Sequence, residues 1–144
     1  MMSSFEQALK QQFVGLTCRI LQWPSLSSPL AVVDCSCSRF LKIQSDTTTL
    51  PTEPGDYSII IIPGGAKGAA TLSESAPVQS LLRKFEEQNK YIGTICAGSL
   101  AIKTAGLIPN GKVTSHPSVE KEFGGYNYSQ ERVVVEGRTI SSRG

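Results

Sequence analysis

Five consecutive residues, Ser58-Ile59-Ile60-Ile61-Ile62, run straight into Pro63-Gly64-Gly65, and this junction constrains the fold more than any other stretch. A continuous β-branched run without polar alternation reads as a strand covered on both faces, the habit of a parallel sheet. Proline and glycine end it and open a Gly-rich loop over residues 63–68 at the strand's C-terminal end. A second junction of the same kind follows. Tyr91–Ile95 reads as an apolar strand, Cys96-Ala97-Gly98 supplies the small residues of a sharp turn, and Leu100, Ala101, Ile102 and Ala105 continue as a helix that stops at Gly106. Between the two junctions Ser75 caps a helix with Pro77 in its first turn and Val78, Leu81, Leu82 and Phe85 at helical spacing. Lys112–Thr114 reads as a short strand, and 132–135 with 138–141 as a hairpin across Glu136-Gly137. Strands alternating with helices predict an α/β layered fold with a mostly parallel sheet.

The first 55 residues constrain less. Phe5, Leu9, Phe13 and Leu16 are spaced like one helix face, 23–29 is loop-like, and Ala31-Val32-Val33 and Phe40–Ile43 are strand candidates before a polar connection over 47–55. There is no internal repeat. A chain of 144 residues is one domain by size. It can bury roughly 70% of its unfolded surface, enough to fold without a metal or disulfide staple.

A net charge of +2 and the lack of a dense Lys/Arg run argue against a nucleic-acid partner. No apolar stretch reaches the roughly 20 residues of a membrane helix. The start, Met1–Gln7, lacks a basic segment leading into an apolar run, so no secretory signal is expected. Four cysteines (Cys18, Cys35, Cys37, Cys96) and one histidine do not make a four-ligand zinc set, and no metal or other cofactor is expected. The expected compartment is intracellular, with reduced thiols.

Chemistry concentrates on Cys96. A cysteine is most often a buried structural residue. Here, however, it follows a strand's carboxyl end, where α/β sheets gather their catalytic groups, and it opens a helix, whose dipole favours thiolate. The strand–turn–helix setting is that of a nucleophile elbow. Gly64 and Gly65 come off a neighbouring strand at the same sheet end, where their backbone N–H groups, with that of Ala97, could face a developing oxyanion; a ligand-free tight turn is the plainer alternative. A phosphate loop is excluded, because Lys67 precedes the last glycine with no Ser or Thr behind it. His116 follows a third strand and precedes Pro117, which puts a proton-transfer group at the same end.

These stretches, Ile61–Gly65, Leu72–Ser75, Ile95–Gly98, Val113–Pro117 and Ser141–Gly144, together resemble the ThiJ/PfpI superfamily over about residues 37–144, and most closely its deglycase and glutathione-independent glyoxalase branch. The resemblance implies a flavodoxin-like three-layer α/β sandwich of the class I glutamine amidotransferase-like kind. It implies a homodimer, cytoplasmic and also nuclear, acting without a cofactor on methylglyoxal, glyoxal or glycated proteins. Cys96 would attack the aldehyde, His116 would move the proton, and Gly64, Gly65 and Ala97 would hold the oxyanion. Arg39, in Cys37-Ser38-Arg39, would lie near the site or the dimer interface. The resemblance also implies an opening strand with an acidic residue that shares a proton with the cysteine. Residues 1–36 carry neither, and Glu6 stands in a polar, helix-like context. The family continues past Ser-Arg-Gly into a long helix, so the reading is of a shortened form with 1–36 atypical and part of the sheet uncovered. Two other functions stay open: a non-catalytic redox sensor or chaperone signalling through Cys96, and a cysteine peptidase or amidase.

Overall fold

The computed structural model describes residues 34–36, 42–44 and 50–144. They fall into two units divided after Leu50. In the first, β1 (Asp34–Ser36) pairs antiparallel with β2 (Lys42–Gln44), Cys35 opposite Ile43. The predicted N-terminal helix, the 31–33 strand, Cys18, Cys37 and Arg39 lie outside the described residues.

The second unit is built on a four-stranded sheet in the order β3 (Ile59–Ile62), β4 (Tyr91–Ile95), β8 (Thr139–Ser142), β7 (Val133–Glu136). The first three strands run parallel and β7 returns antiparallel along the edge. Helices α1 (Ala66–Glu74), α2 (Ala76–Glu87) and α3 (Leu100–Ala105) pack on one another and against this sheet. Parallel strands need such crossovers, so the alternation read from the sequence is what closes the layer. A second, two-stranded parallel sheet joins β5 (Lys112–Val113) to β6 (Asn127–Tyr128).

The registers place Ile60, Ile62, Ile92, Thr94, Thr139, Ser141 and Val134 on one face, and all of them are buried. Against that face lie Leu72, Val78, Leu81, Leu82, Phe85 and Ile102, each at most 2% exposed. Burying each such side chain contributes about 1.5–3 kcal/mol, so this interface carries most of the unit's stability. The isoleucine run was expected to be covered on both faces. Ile60 and Ile62 are buried, and Ile59 and Ile61, which alternate with them, are half-buried.

The Gly-rich loop is also shorter than the sequence reading has it. Ala66 already starts α1, with Gly65 (φ +95°) as its N-cap, so Lys67 and Gly68 are helical. The helix after it is capped by Ser75 without a side-chain hydrogen bond, and Pro77 stands in its first turn. Lys84 bonds the Thr52 carbonyl and Glu53, and Lys90 the Gly55 carbonyl, tying the leading segment to α2. No helix among the described residues is long and apolar enough to cross a membrane.

Candidate active site

β4 delivers Cys96 to the carboxyl end of the sheet, and the chain turns there into a single 3₁₀ turn, Cys96–Ser99, that feeds α3. The turn is tight enough to push Cys96 to φ +59°, a left-handed conformation that non-glycine residues rarely take. Such strain persists only where the surroundings enforce it. They do so through Gly98: a Cβ there would lie 2.4 Å from the Pro63 carbonyl oxygen, so the turn sits flush on the end of β3. Beneath it the Thr94 and Ser99 hydroxyls, both buried, bond at 3.0 Å and tie the strand to the turn.

Cys96 is a free, half-buried thiol. Two glycines flank it. A Cβ on Gly64 would come within 2.6 Å of the Cys96 Cβ and 3.3 Å of its Sγ, and one on Gly144 within 3.0 and 3.4 Å. The thiol therefore lies between backbone and backbone, with no side chain on either glycine to cover it. α1 begins two residues after Gly64 and packs against the cysteine turn, which brings a helix N-terminus to the site. Ala97 is buried in the turn itself.

His116 arrives on the other side. Its backbone N–H donates to the Cys96 carbonyl at 3.3 Å, which holds the two residues side by side although twenty positions separate them. Its side chain is the N-cap of the 3₁₀ segment Pro117–Phe123, with Nδ1 accepting the Ser118 N–H at 3.2 Å and lying 2.7 Å from Ser118 Oγ. The peptide around it is fixed by hydroxyls. Tyr128 Oη donates to the Ser115 carbonyl at 3.0 Å, Ser115 Oγ to the His116 carbonyl at 3.1 Å, and Tyr128 packs on buried Phe123. Thr114 N–H bonds Ser141 Oγ at 3.0 Å, which links the histidine's strand to β8.

The structure thus brings Cys96, Ala97, Gly64 and His116 to one sheet end, with Gly65 one residue on at the start of α1. Sequence reasoning gave no role to Ser115 and Gly144, which lie in its motifs, and passed over Ser118 and Tyr128. Ser118 had a signal, since His-Pro-Ser places a side-chain acceptor just before a proline-started turn. The hydroxyl pairings of Ser115 and Tyr128 had none, because they span the chain between two strands.

Several carboxylates of the described residues have partners elsewhere: Glu86 accepts from the Ile108 N–H, Glu120 from Gln130, and Glu122 from Lys103. Glu131 accepts from Lys112 at 2.7 Å, and that hydrogen bond, then the ammonium's charge, holds its carboxyl below the ordinary value. Among the described residues no group of three His, Cys, Asp or Glu side chains could hold a metal ion.

The comparisons with known proteins bear on the family and the fold. The profile of the DJ-1/PfpI family matches residues 23–144, beginning ahead of the motifs that suggested the resemblance. A Schizosaccharomyces pombe protein described as glutathione-independent glyoxalase DJ-1 is 50% identical over 91 residues, 61% of this chain and 47% of the relative. The zebrafish (Danio rerio) Parkinson disease protein 7 homolog is 38% identical over 112 residues, 75% of this chain and 59% of the relative. The crystal structure of Drosophila melanogaster DJ-1beta superposes with a TM-score of 0.72 at 31% identity, over 77% of this chain and 61% of the other. This chain spans about half the length of the curated relatives it matches. With a flavodoxin-like α/β fold, a thiol at the strand end and a family profile covering most of its length, the chain belongs to the DJ-1/PfpI family.

Proposed function

We propose that this protein converts small α-oxoaldehydes, methylglyoxal or glyoxal, to hydroxy acids with water and no cofactor, using Cys96 as nucleophile. The observation that carries the reading is the Cys96 turn: a thiol at φ +59° between Gly64 and Gly144, with the His116 backbone bonded to its carbonyl. The thiolate adds to the aldehyde carbon, forming the C–S bond and an oxyanion, which the N–H groups of Gly65 and Ala97 receive. The aldehyde hydrogen leaves as a proton and one returns at the neighbouring carbon, turning the hemithioacetal into a thioester of the hydroxy acid. Water then hydrolyses the thioester and frees the thiol. His116 serves the proton relocation. The same addition on a glycated side chain would make the protein a deglycase, and a homodimer in the cytoplasm and nucleus completes the proposal. The glyoxalase description of the fission yeast relative supports it.

The test is methylglyoxal consumption and lactate production by the wild type and Cys96→Ser. We expect the variant to fall to the buffer rate; equal rates would overturn the reading.

Partial exposure of the free thiol favours a second reading, a redox sensor that records peroxide at Cys96. Its signature is a gain of about 32 Da, two oxygens as sulfinic acid, on the Cys96 peptide after mild peroxide. An unmodified peptide argues against it.

A further inference from the structure

We infer that Ser118 fixes His116 as the tautomer with its proton on Nε2, so that His116 meets the substrate as a neutral hydrogen-bond donor and not as the base that takes the thiol's proton. The inference deepens the proposed glyoxalase reading and rests on it for the word substrate; the tautomer itself does not.

Two donors converge on Nδ1. Ser118 Oγ lies 2.7 Å away, and the Ser118 backbone N–H reaches the same nitrogen at 3.2 Å. A hydroxyl can donate or accept, so the first contact alone would leave the tautomer open. A backbone N–H can only donate, and that decides it: Nδ1 presents its lone pair. A proton placed there would point at the Ser118 N–H and would strip that donor of its acceptor. The neutral ring therefore carries its hydrogen on Nε2, the one nitrogen left for any other partner.

The geometry around the ring keeps this arrangement in register. Pro117 starts the 3₁₀ segment and brings no N–H of its own, so the Ser118 N–H is the first donor of the turn and His116 is its cap. The His116 peptide is held on both sides, by its own N–H on the Cys96 carbonyl and by Ser115 Oγ on its carbonyl. These bonds fix the backbone from which the ring projects, and the two Ser118 contacts hold the ring itself.

A neutral imidazole that donates from Nε2 stabilises the oxyanion electrostatically as it forms, and holds on that nitrogen the proton it then moves in the relocation. As thiolate adds to the aldehyde, the C=O electron pair moves to oxygen and Nε2–H is available to that oxygen, alongside the backbone donors of Gly65 and Ala97. Ser118 is then a positioning residue, acting through His116.

His116 is the only histidine of the chain, so its ring nitrogens can be read by long-range ¹H–¹⁵N correlation without ambiguity. With ¹⁵N-histidine in the wild type we expect a protonated Nε2 and a lone pair on Nδ1. A protonated Nδ1, or a signal averaged over both tautomers, would overturn the inference. Ser118→Ala keeps the backbone donor and loses the hydroxyl, so protonated Nε2 should stay the major form with a larger share of the other tautomer, and kcat for methylglyoxal should fall several-fold. Ser118→Thr, which keeps the hydroxyl, should restore both. A Ser118→Ala spectrum identical to the wild type would also overturn the role given to Ser118. Cys96→Ser should abolish turnover and leave the tautomer untouched, so a fixed tautomer in a protein without glyoxalase activity would refute the reaction and uphold the tautomer.

Discussion

Cys96 combines a legible part and a hidden part. Its place between an apolar strand and a helix is written in Tyr91–Ala101, because periodicity changes within one turn. Its backbone strain is not, since φ +59° follows from the contact of Gly98 with the Pro63 carbonyl, made by a strand more than thirty residues upstream. The strain predicts an unusual order of stabilities. A non-glycine residue in this region costs about 1–3 kcal/mol, whereas glycine gives up about 0.4–1 kcal/mol through the greater freedom of its unfolded chain. Cys96→Gly should therefore melt at or above Cys96→Ala, the reverse of what holds within ordinary helices or strands. Thermal unfolding of the two variants side by side checks it, and a Cys96→Gly melting clearly below Cys96→Ala would show that the turn relaxes without strain. His116 shows the same division. The residue could be found as the lone imidazole at a strand end, but the nitrogen that carries its proton depends on the contact with Ser118, which His-Pro-Ser hints at and the turn geometry makes.

Among the elements, the strands were the readable part. The runs at 59–62 and 91–95 match their expected positions, and the helix after Ser75 and its apolar face do too. The hairpin forms with its strands one residue further on than read, at 133–136 and 139–142, which moves the tight turn to Gly137-Arg138. α1 was hidden, because Gly64, Gly65 and Gly68 outweigh the weak helical signal of Ala66, Ala69, Ala70 and Leu72 in a short window. What ends α1 is a residue of the next helix. Gln79, 7% exposed, donates Nε2 to the Leu72 carbonyl at 3.1 Å and the Ser73 carbonyl at 3.0 Å, filling the acceptors that a helix end leaves open. Its Oε1 is buried without a partner among the described residues, so part of this benefit is offset. Gln79→Leu should cost about 1 kcal/mol net, as two carbonyls lose a donor and one orphan oxygen disappears. Urea unfolding reads it as a lower midpoint at an unchanged slope; a midpoint equal to the wild type would mean that water caps α1 instead.

At the scale of the molecule, the sheet has two unequal faces. Alternation along β7 and β8 buries Val134 and Ser141, and turns Val133, Val135 and Ile140 to the other face, which they share with Tyr91 and Ile95 of β4. Val133 is 52% exposed and Val135 63%, on the edge strand of the sheet. The isoleucine run could not foretell this asymmetry, because cover on a second face depends on what is packed there and not on the strand's own residues. Two exposed valines on an edge strand favour association, and the strand's unpaired backbone groups add to it. We expect copies of the chain to associate through this face, and that association to weaken when its two most exposed residues become polar without losing shape or strand preference. Val133→Thr with Val135→Thr meets that condition. The double variant should sediment with a smaller associated fraction at every concentration, and its melting should stay within about 0.5 kcal/mol of the wild type, as for other surface changes. Val134→Thr supplies the contrast, since the same hydroxyl at this buried position must be desolvated and should destabilise by about 1–3 kcal/mol. Unchanged sedimentation of the double variant would remove the face from any account of association. A loss of stability as large as that of Val134→Thr would show instead that Val133 and Val135 are covered in solution.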